Sequence, residues 1–216
     1  MKLQSKEYQY FRMAILFSLI LALLLAVFVF INGKDQSFLM INGRYSTKAD
    51  YFFNYVTFLG DGLIWVPIFL YVLIFKRDFF VAVLAALIIC TVLTHFGKRV
   101  IFAEEPRPLR LLEDMARAVP LMKGRDSYVN SFPSGHTSTA FTFALLLPYL
   151  VRRKFAVFVF PLIAFLVGYS RVYLAQHFAT DVVAGIVVGI VSSYLALVIH
   201  DRYQKKKKQK ELQSGP

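Results

Sequence analysis

Residues 13–31 read MAILFSLILALLLAVFVFI, nineteen side chains with no charge and a single polar group, Ser18. A helix needs roughly 20 apolar residues to cross a hydrocarbon core about 30 Å thick. The block is longer than the apolar part of a signal peptide, and no small-residue cleavage site clearly follows it. It reads as a membrane helix. The rest of the 216-residue chain repeats the pattern, with 57% hydrophobic residues overall and a mean hydropathy of +0.56. We expect six spans: about Phe11 to Ile31, a second between Tyr51 and Phe75, Phe79 to about Phe96, His136 to Val151, Phe155 to Ser170, and Thr180 to Ile199. The shorter blocks are accommodated by tilt, by flanking Lys or Arg, or by local thinning. The expected fold is therefore an all-α integral membrane protein with six transmembrane helices. Residues 1–204 form one domain, with a motif-bearing core at 79–200, and 205–216 form a basic, disordered tail.

The net charge of +12 does not point to nucleic acid, because Lys and Arg lie between and beside the apolar blocks. Lys2, Lys6, Arg12, Lys76, Arg77, Arg152, Arg153, Lys154, Arg202 and the Lys205–Lys208 run all fall on one side of the expected topology. The positive-inside bias makes that side cytoplasmic, with both termini inside. One cysteine, Cys90, excludes an intramolecular disulfide. Four histidines without HExxH or CxxC spacing argue against a tightly bound zinc, and no metal or other cofactor is expected. Gly185 and Gly189 form a GxxxG in the last span, a signature of close helix packing.

The opposite side carries the chemistry. Three clusters face it: Lys98 with Arg107-Pro108; Pro133-Ser134-Gly135-His136; and Ser170-Arg171, His177 and Asp181. Taken singly, each has an ordinary meaning. Lys98 at a span end is an interfacial anchor, Ser134 a helix N-cap, and His177 with Asp181 a structural pair one helical turn apart. Together they gather three fixed positive charges, a glycine-containing helix N-terminus, two histidines and a carboxylate. Phosphoryl transfer requires this set, because the equatorial oxygens must be held and their charge stabilised. Lys98, Arg107 and Arg171 supply charge; Ser134 and the backbone N–H groups near Gly135 supply donors at a helix N-terminus. Histidine serves as nucleophile or acid near neutral pH. His177, oriented by Asp181, is the better nucleophile candidate, leaving His136 to protonate the leaving oxygen and then activate water. The residues alone do not force that division of roles.

The same residues resemble the three-part signature of the type 2 phosphatidic acid phosphatase (PAP2) superfamily: K-x6-R-P, P-S-G-H and S-R-x5-H-x3-D. The second and third parts match without a gap. The first departs, since eight residues, Arg99 to Pro106, separate Lys98 from Arg107, and Arg99 is an alternative to Lys98. The resemblance covers the third span to the end of the sixth. It implies a six-span helical fold and a metal-independent phosphohistidine mechanism at the non-cytoplasmic membrane surface. His177 would be the nucleophile, Asp181 its orienting acid and His136 the general acid/base, with phosphate held by Lys98, Arg107, Ser134, Gly135 and Arg171. The small size resembles bacterial undecaprenyl diphosphate phosphatases of the inner membrane, with phosphatidylglycerophosphate, phosphatidic acid and lipid A as rival substrates. The expected partners are a membrane lipid phosphate and the bilayer. The related vanadium haloperoxidases are soluble, which the spans oppose; a transporter or scaffold would leave the polar constellation without a job.

Three weaker features complete the reading. Asp61 is an ionisable residue at the edge of an apolar block; an interfacial position is the favoured interpretation over a functional one. His95 reads as packing or interfacial. Leu111, Leu112, Met115 and Val119 in the long loop are spaced for a short amphipathic helix or for a plain surface loop.

Overall fold

The computed structural model describes residues 5–43, 46–110 and 129–213. Among these the regular structure is helical throughout, in the order α1 (Lys6–Asn32), α2 (Lys34–Asn42), α3 (Thr47–Val56), α4 (Trp65–Phe75), α5 (Phe80–Phe96), α6 (Gly135–Val151), α7 (Ala156–Tyr173) and α8 (Ala179–Gln213). The amphipathic loop segment expected around Leu111 to Val119 lies outside the described residues.

Among the described residues four stretches are long and apolar enough to cross a membrane: Lys6–Asn32, Arg77–Ile101, Ala156–Tyr173 and Ala179–Gln213. The expected second span is not one helix. It is a pair, Thr47–Gly60 and Gly62–Phe75, bent by 55°. Between the halves, Asp61 is extended (φ −69°, ψ 151°) and its side chain caps the next turn by accepting from Leu63 N. Two glycines flanking a residue that prefers caps to helix interiors explain the break. Counted as one, the pair is a fifth candidate crossing. The expected fourth span, α6, has 17 residues and is about 25 Å long. It is the most enclosed helix, buried from Thr137 to Leu146 except at Thr139.

The outer faces of the other helices carry Leu16, Leu23, Leu24, Ile74 and Val92 in exposed positions, and Phe30 is 89% exposed. In water such a belt would be an aggregation site; against lipid tails it is the ordinary surface. Inside, Trp65 packs on Phe143 with ring centroids 3.9 Å apart, fixing α4 against α6. α8 runs along α5, α6 and α1. It continues as helix through the lysine run to Gln213, where charge alone suggested disorder. Lys, Gln and Glu are good helix formers, and Gln204 and Lys207 reach back to Asp78. Arg152 pairs with Glu7 at 3.2 Å. The basic connections are thus gathered at one end, a full α6 length from the motif residues at its start.

The GxxxG reading holds at contact level. A Cβ at Gly189 would lie 2.5 Å from Phe141 Cβ and 3.0 Å from Thr142 N, and one at Gly185 would lie 2.7 Å from Thr137 Cβ. These neighbours are backbone and Cβ atoms, which move only if α6 and α8 separate. Gly189→Leu is expected to destabilise by about 1–3 kcal/mol, the usual cost of overpacking. The check is a lowered midpoint of thermal unfolding in detergent, set against an exposed α1 control such as Leu24→Ala.

Candidate active site

The site begins with the loop between α7 and α8. α7 ends just beyond Arg171, and Leu174 to Phe178 turn the chain tightly, with His177 N donating to Arg171 O at 3.2 Å. This turn buries His177, leaving it 2% exposed. Asp181 sits in the first turn of α8, fully buried. Its Oδ2 lies 3.3 Å from His177 Nδ1. The same oxygen accepts from Phe178 N at 3.0 Å and from the Ser131 hydroxyl, while Thr180 Oγ1 donates to Oδ1 at 3.3 Å. Three donors therefore hold one carboxylate, which in turn fixes the imidazole through Nδ1 and leaves Nε2 as the outward ring nitrogen.

The second cluster is attached to the first by backbone. Ser134 N donates to Asp181 O at 3.0 Å. Ser134 is the N-cap of α6: its hydroxyl oxygen accepts from Thr137 N at 3.4 Å and from Thr137 Oγ1 at 2.9 Å. Ser134 and Gly135 thus open a helix N-terminus beside the His177–Asp181 pair, where backbone N–H groups and the helix dipole favour an anion. Gly135 faces α5; a Cβ there would come within 3.4 Å of Thr94 Cγ2 and 4.0 Å of Lys98 Cε.

Lys98 lies in a π turn, Gly97–Ile101, that continues α5. Such a turn takes up an extra residue within a helix, and a further turn at 102–105 follows, so the long spacing to Arg107 is absorbed locally. Lys98 is half-buried and Arg99 exposed. Arg107 donates from Nε to Val129 O at 3.0 Å and from Nη1 to the carbonyl and side-chain oxygens of Gln176, both at 3.3 Å. Arg171 is 3% exposed and donates from Nη1 to Thr57 Oγ1 at 2.7 Å, from the end of α3. Burial first, and then the charges of Lys98, Arg171 and Arg107, push the His177 pKa well below its ordinary value. The ring is thus held neutral among cations, where an anion would be favoured.

His136, in the first turn of α6, faces Asp61. Its Nε2 is 3.6 Å from the Oδ2 of that residue. Ser131, Gln176 and Thr57, which hold Asp181, Arg107 and Arg171, were not singled out by sequence reasoning. Ser131 and Gln176 sit beside motif residues in the chain, a weak signal; Thr57 carries none. Lys34, from α2, pairs with Glu105 and lies 4.4 Å above the Phe178 ring, closing the rim.

Comparison with known proteins is consistent with this geometry. The PAP2 superfamily matches residues 76–205. A lipid A 4'-phosphatase of Bacteroides thetaiotaomicron is 30% identical over 175 residues, covering 77% of this chain and 76% of that protein. An undecaprenyl-diphosphatase of Sulfolobus acidocaldarius is 28% identical over 203 residues, covering 90% and 92%. The crystal structure of Aquifex aeolicus LpxE superposes with a TM-score of 0.66 at 32% identity, covering 76% of this chain and 94% of that one. With its apolar helices, its matched domain and its phosphatase relatives, the chain belongs to the PAP2 superfamily and is one of its membrane lipid phosphatases.

Proposed function

We propose that this phosphatase removes a phosphate from a membrane lipid phosphate or diphosphate without a metal, through a phosphohistidine on His177. The observation that carries the reading is the buried His177, held through Nδ1 by Asp181 and under the charge of Lys98, Arg107 and Arg171. In the first step His177 Nε2 attacks phosphorus, the bond to the leaving oxygen breaks, and His136 gives that oxygen its proton. In the second step His136 takes a proton from water, the hydroxide attacks the phosphohistidine, and the P–N bond breaks to release phosphate. The sum is ester plus water giving alcohol plus phosphate (for a diphosphate substrate, the lipid monophosphate takes the alcohol's place). Lys98, Arg107 and Arg171 stabilise the equatorial oxygens. Among the described residues Ser134 only accepts in its cap contacts, so its hydroxyl proton serves the phosphate alongside the N–H groups near Gly135.

Residues 1–204 act as one six-span unit in this reading, with α6 and the bent α3–α4 pair each crossing once. The basic end lies in the cytoplasm with both termini, and the site opens at the periplasmic or extracellular face of a bacterial inner membrane. The charge distribution supports this orientation. Undecaprenyl diphosphate is the first substrate we assign, because the relative of that name matches nearly full length on both sides. Lipid A is the second reading, carried by the Bacteroides relative.

Phosphate release by purified protein, with excess EDTA, tests both parts. Undecaprenyl diphosphate, lipid A, phosphatidylglycerophosphate and phosphatidic acid form the panel. Activity is expected to stay within about twofold of that without chelator, because three cationic side chains supply the charge a metal would otherwise provide. Loss of activity restored by a divalent ion would sink the metal-free mechanism. A rate order led by lipid A would replace the first substrate with the second.

A further inference from the structure

Asp61 occupies the break between the two halves of a candidate membrane span, beside the start of α6. Its two oxygens have different tasks. Oδ1 accepts from Leu63 N at 3.0 Å and caps the short turn Gly62–Ile64. Oδ2 is 3.6 Å from His136 Nε2. The approach is built in: Gly60 packs so closely on α6 that a Cβ there would lie 2.5 Å from His136 O and 2.7 Å from Val167 Cγ1. Only glycine lets the broken segment reach the start of α6. The arrangement parallels the one across the site, where Asp181 faces the other ring nitrogen type, Nδ1, of His177.

We infer that Asp61 is a positioning residue for the general acid: it orients His136 and stabilises its imidazolium form. The inference rests on the phosphohistidine reading above, in which His136 must arrive protonated at the leaving oxygen. A carboxylate beside one ring nitrogen fixes the tautomer and ring angle of the other, as second-sphere carboxylates do for catalytic histidines. The 3.6 Å separation is longer than a hydrogen bond and is of the kind that tightens when substrate is bound. The cap and the pairing use different oxygens, so Asp61→Asn retains an oxygen for Leu63 N while removing the charge opposite His136.

The test exploits the leaving group. An alkoxide expelled from a long-chain alkyl phosphate is a poor leaving group and needs the acid; the stable phenolate expelled from p-nitrophenyl phosphate does not. Asp61→Asn is expected to lower kcat for the alkyl substrate about 10- to 100-fold with KM little changed. The single-turnover rate of nitrophenolate release, with enzyme in excess, should stay within about threefold of wild type, since phosphorylation of His177 then needs no proton donor. In a His136→Ala background, Asp61→Asn should add less than about twofold, because residues acting as one unit are not additive. His95→Gln, a neighbour lining the same cavity of about 250 Å³, should be silent. An unchanged kcat for the alkyl substrate, an equal fall for both substrates, or a full additional loss in the His136→Ala background would each overturn the role of Asp61. If Asp61→Asn fails to fold, Asp61→Ser, which also keeps a capping oxygen, is read by the same criteria. Wild-type protein giving neither phosphate nor nitrophenolate would remove the phosphohistidine reading and Asp61's role with it; activity in wild type with no leaving-group dependence in Asp61→Asn removes Asp61 alone.

Discussion

Replacing His177 with alanine is expected to lower phosphate release by about 10⁴-fold or more while leaving a folded protein. The size follows from the proposed role: with no ring at 177 the proposed covalent intermediate cannot form, and the remaining cations only hold the substrate against water. The fold survives because the Asp181 carboxylate keeps its bonds from Ser131, Phe178 N and Thr180 when the imidazole is gone. Acid-labile phosphate on the protein, trapped by rapid quench with labelled substrate, should appear in wild type and vanish in the variant. Retained labelling would move the nucleophile elsewhere, with His136 first in line. The depressed pKa adds a pH signature. Burial and the surrounding cations hold His177 neutral in the folded state at pH values where it would be protonated in the unfolded chain. The unfolded state then binds more protons, so stability falls as pH drops below about 6.5 toward the folded pKa. His177→Ala should lose that part of the acid destabilisation, visible as a flatter dependence of the unfolding midpoint on pH.

The membrane class was legible in the sequence because apolar blocks of spanning length have no other economical explanation. The three motif clusters were legible because residue type and spacing already specify phosphate chemistry. The break at Gly60–Asp61–Gly62 was harder. Hydropathy averages over about a turn or more and passes smoothly through one aspartate, whereas the break depends on the local choice of a capping residue between two glycines. That choice places Asp61 opposite His136. The supports for the charged groups were invisible for a different reason. Thr57 reaches Arg171 across 114 residues of chain, and Gln176 reaches Arg107 across 69; nothing local to threonine or glutamine announces such a partner. Lys98 was in doubt on spacing alone, and the π turn supplies the reason that a longer spacing still brings a lysine to Gly135 and Arg107.

Asp181→Asn carries the second-largest expected loss, about 10³-fold in kcat, and it separates charge from geometry. Asparagine has the same shape. Its amide oxygen, placed where Oδ2 stands, still accepts from Phe178 N and still faces His177 Nδ1, so the ring retains its orientation. What disappears is the negative charge. In the proposed mechanism, as Nε2 bonds to phosphorus, positive charge builds on a ring already surrounded by Lys98, Arg107 and Arg171, and the Asp181 carboxylate at Nδ1 opposes it. In a site shielded from water that compensation is worth several kcal/mol. Asp181→Ala is a different experiment, because it also strands Ser131, Phe178 N and Thr180 without their acceptor; its unfolding midpoint should fall where that of the asparagine variant does not. Single-turnover phosphorylation of both variants, beside their unfolding midpoints, reads the two effects apart. An asparagine variant phosphorylated within about threefold of wild type would mean that orientation alone activates His177, with Ser131 and the backbone sufficient to supply it.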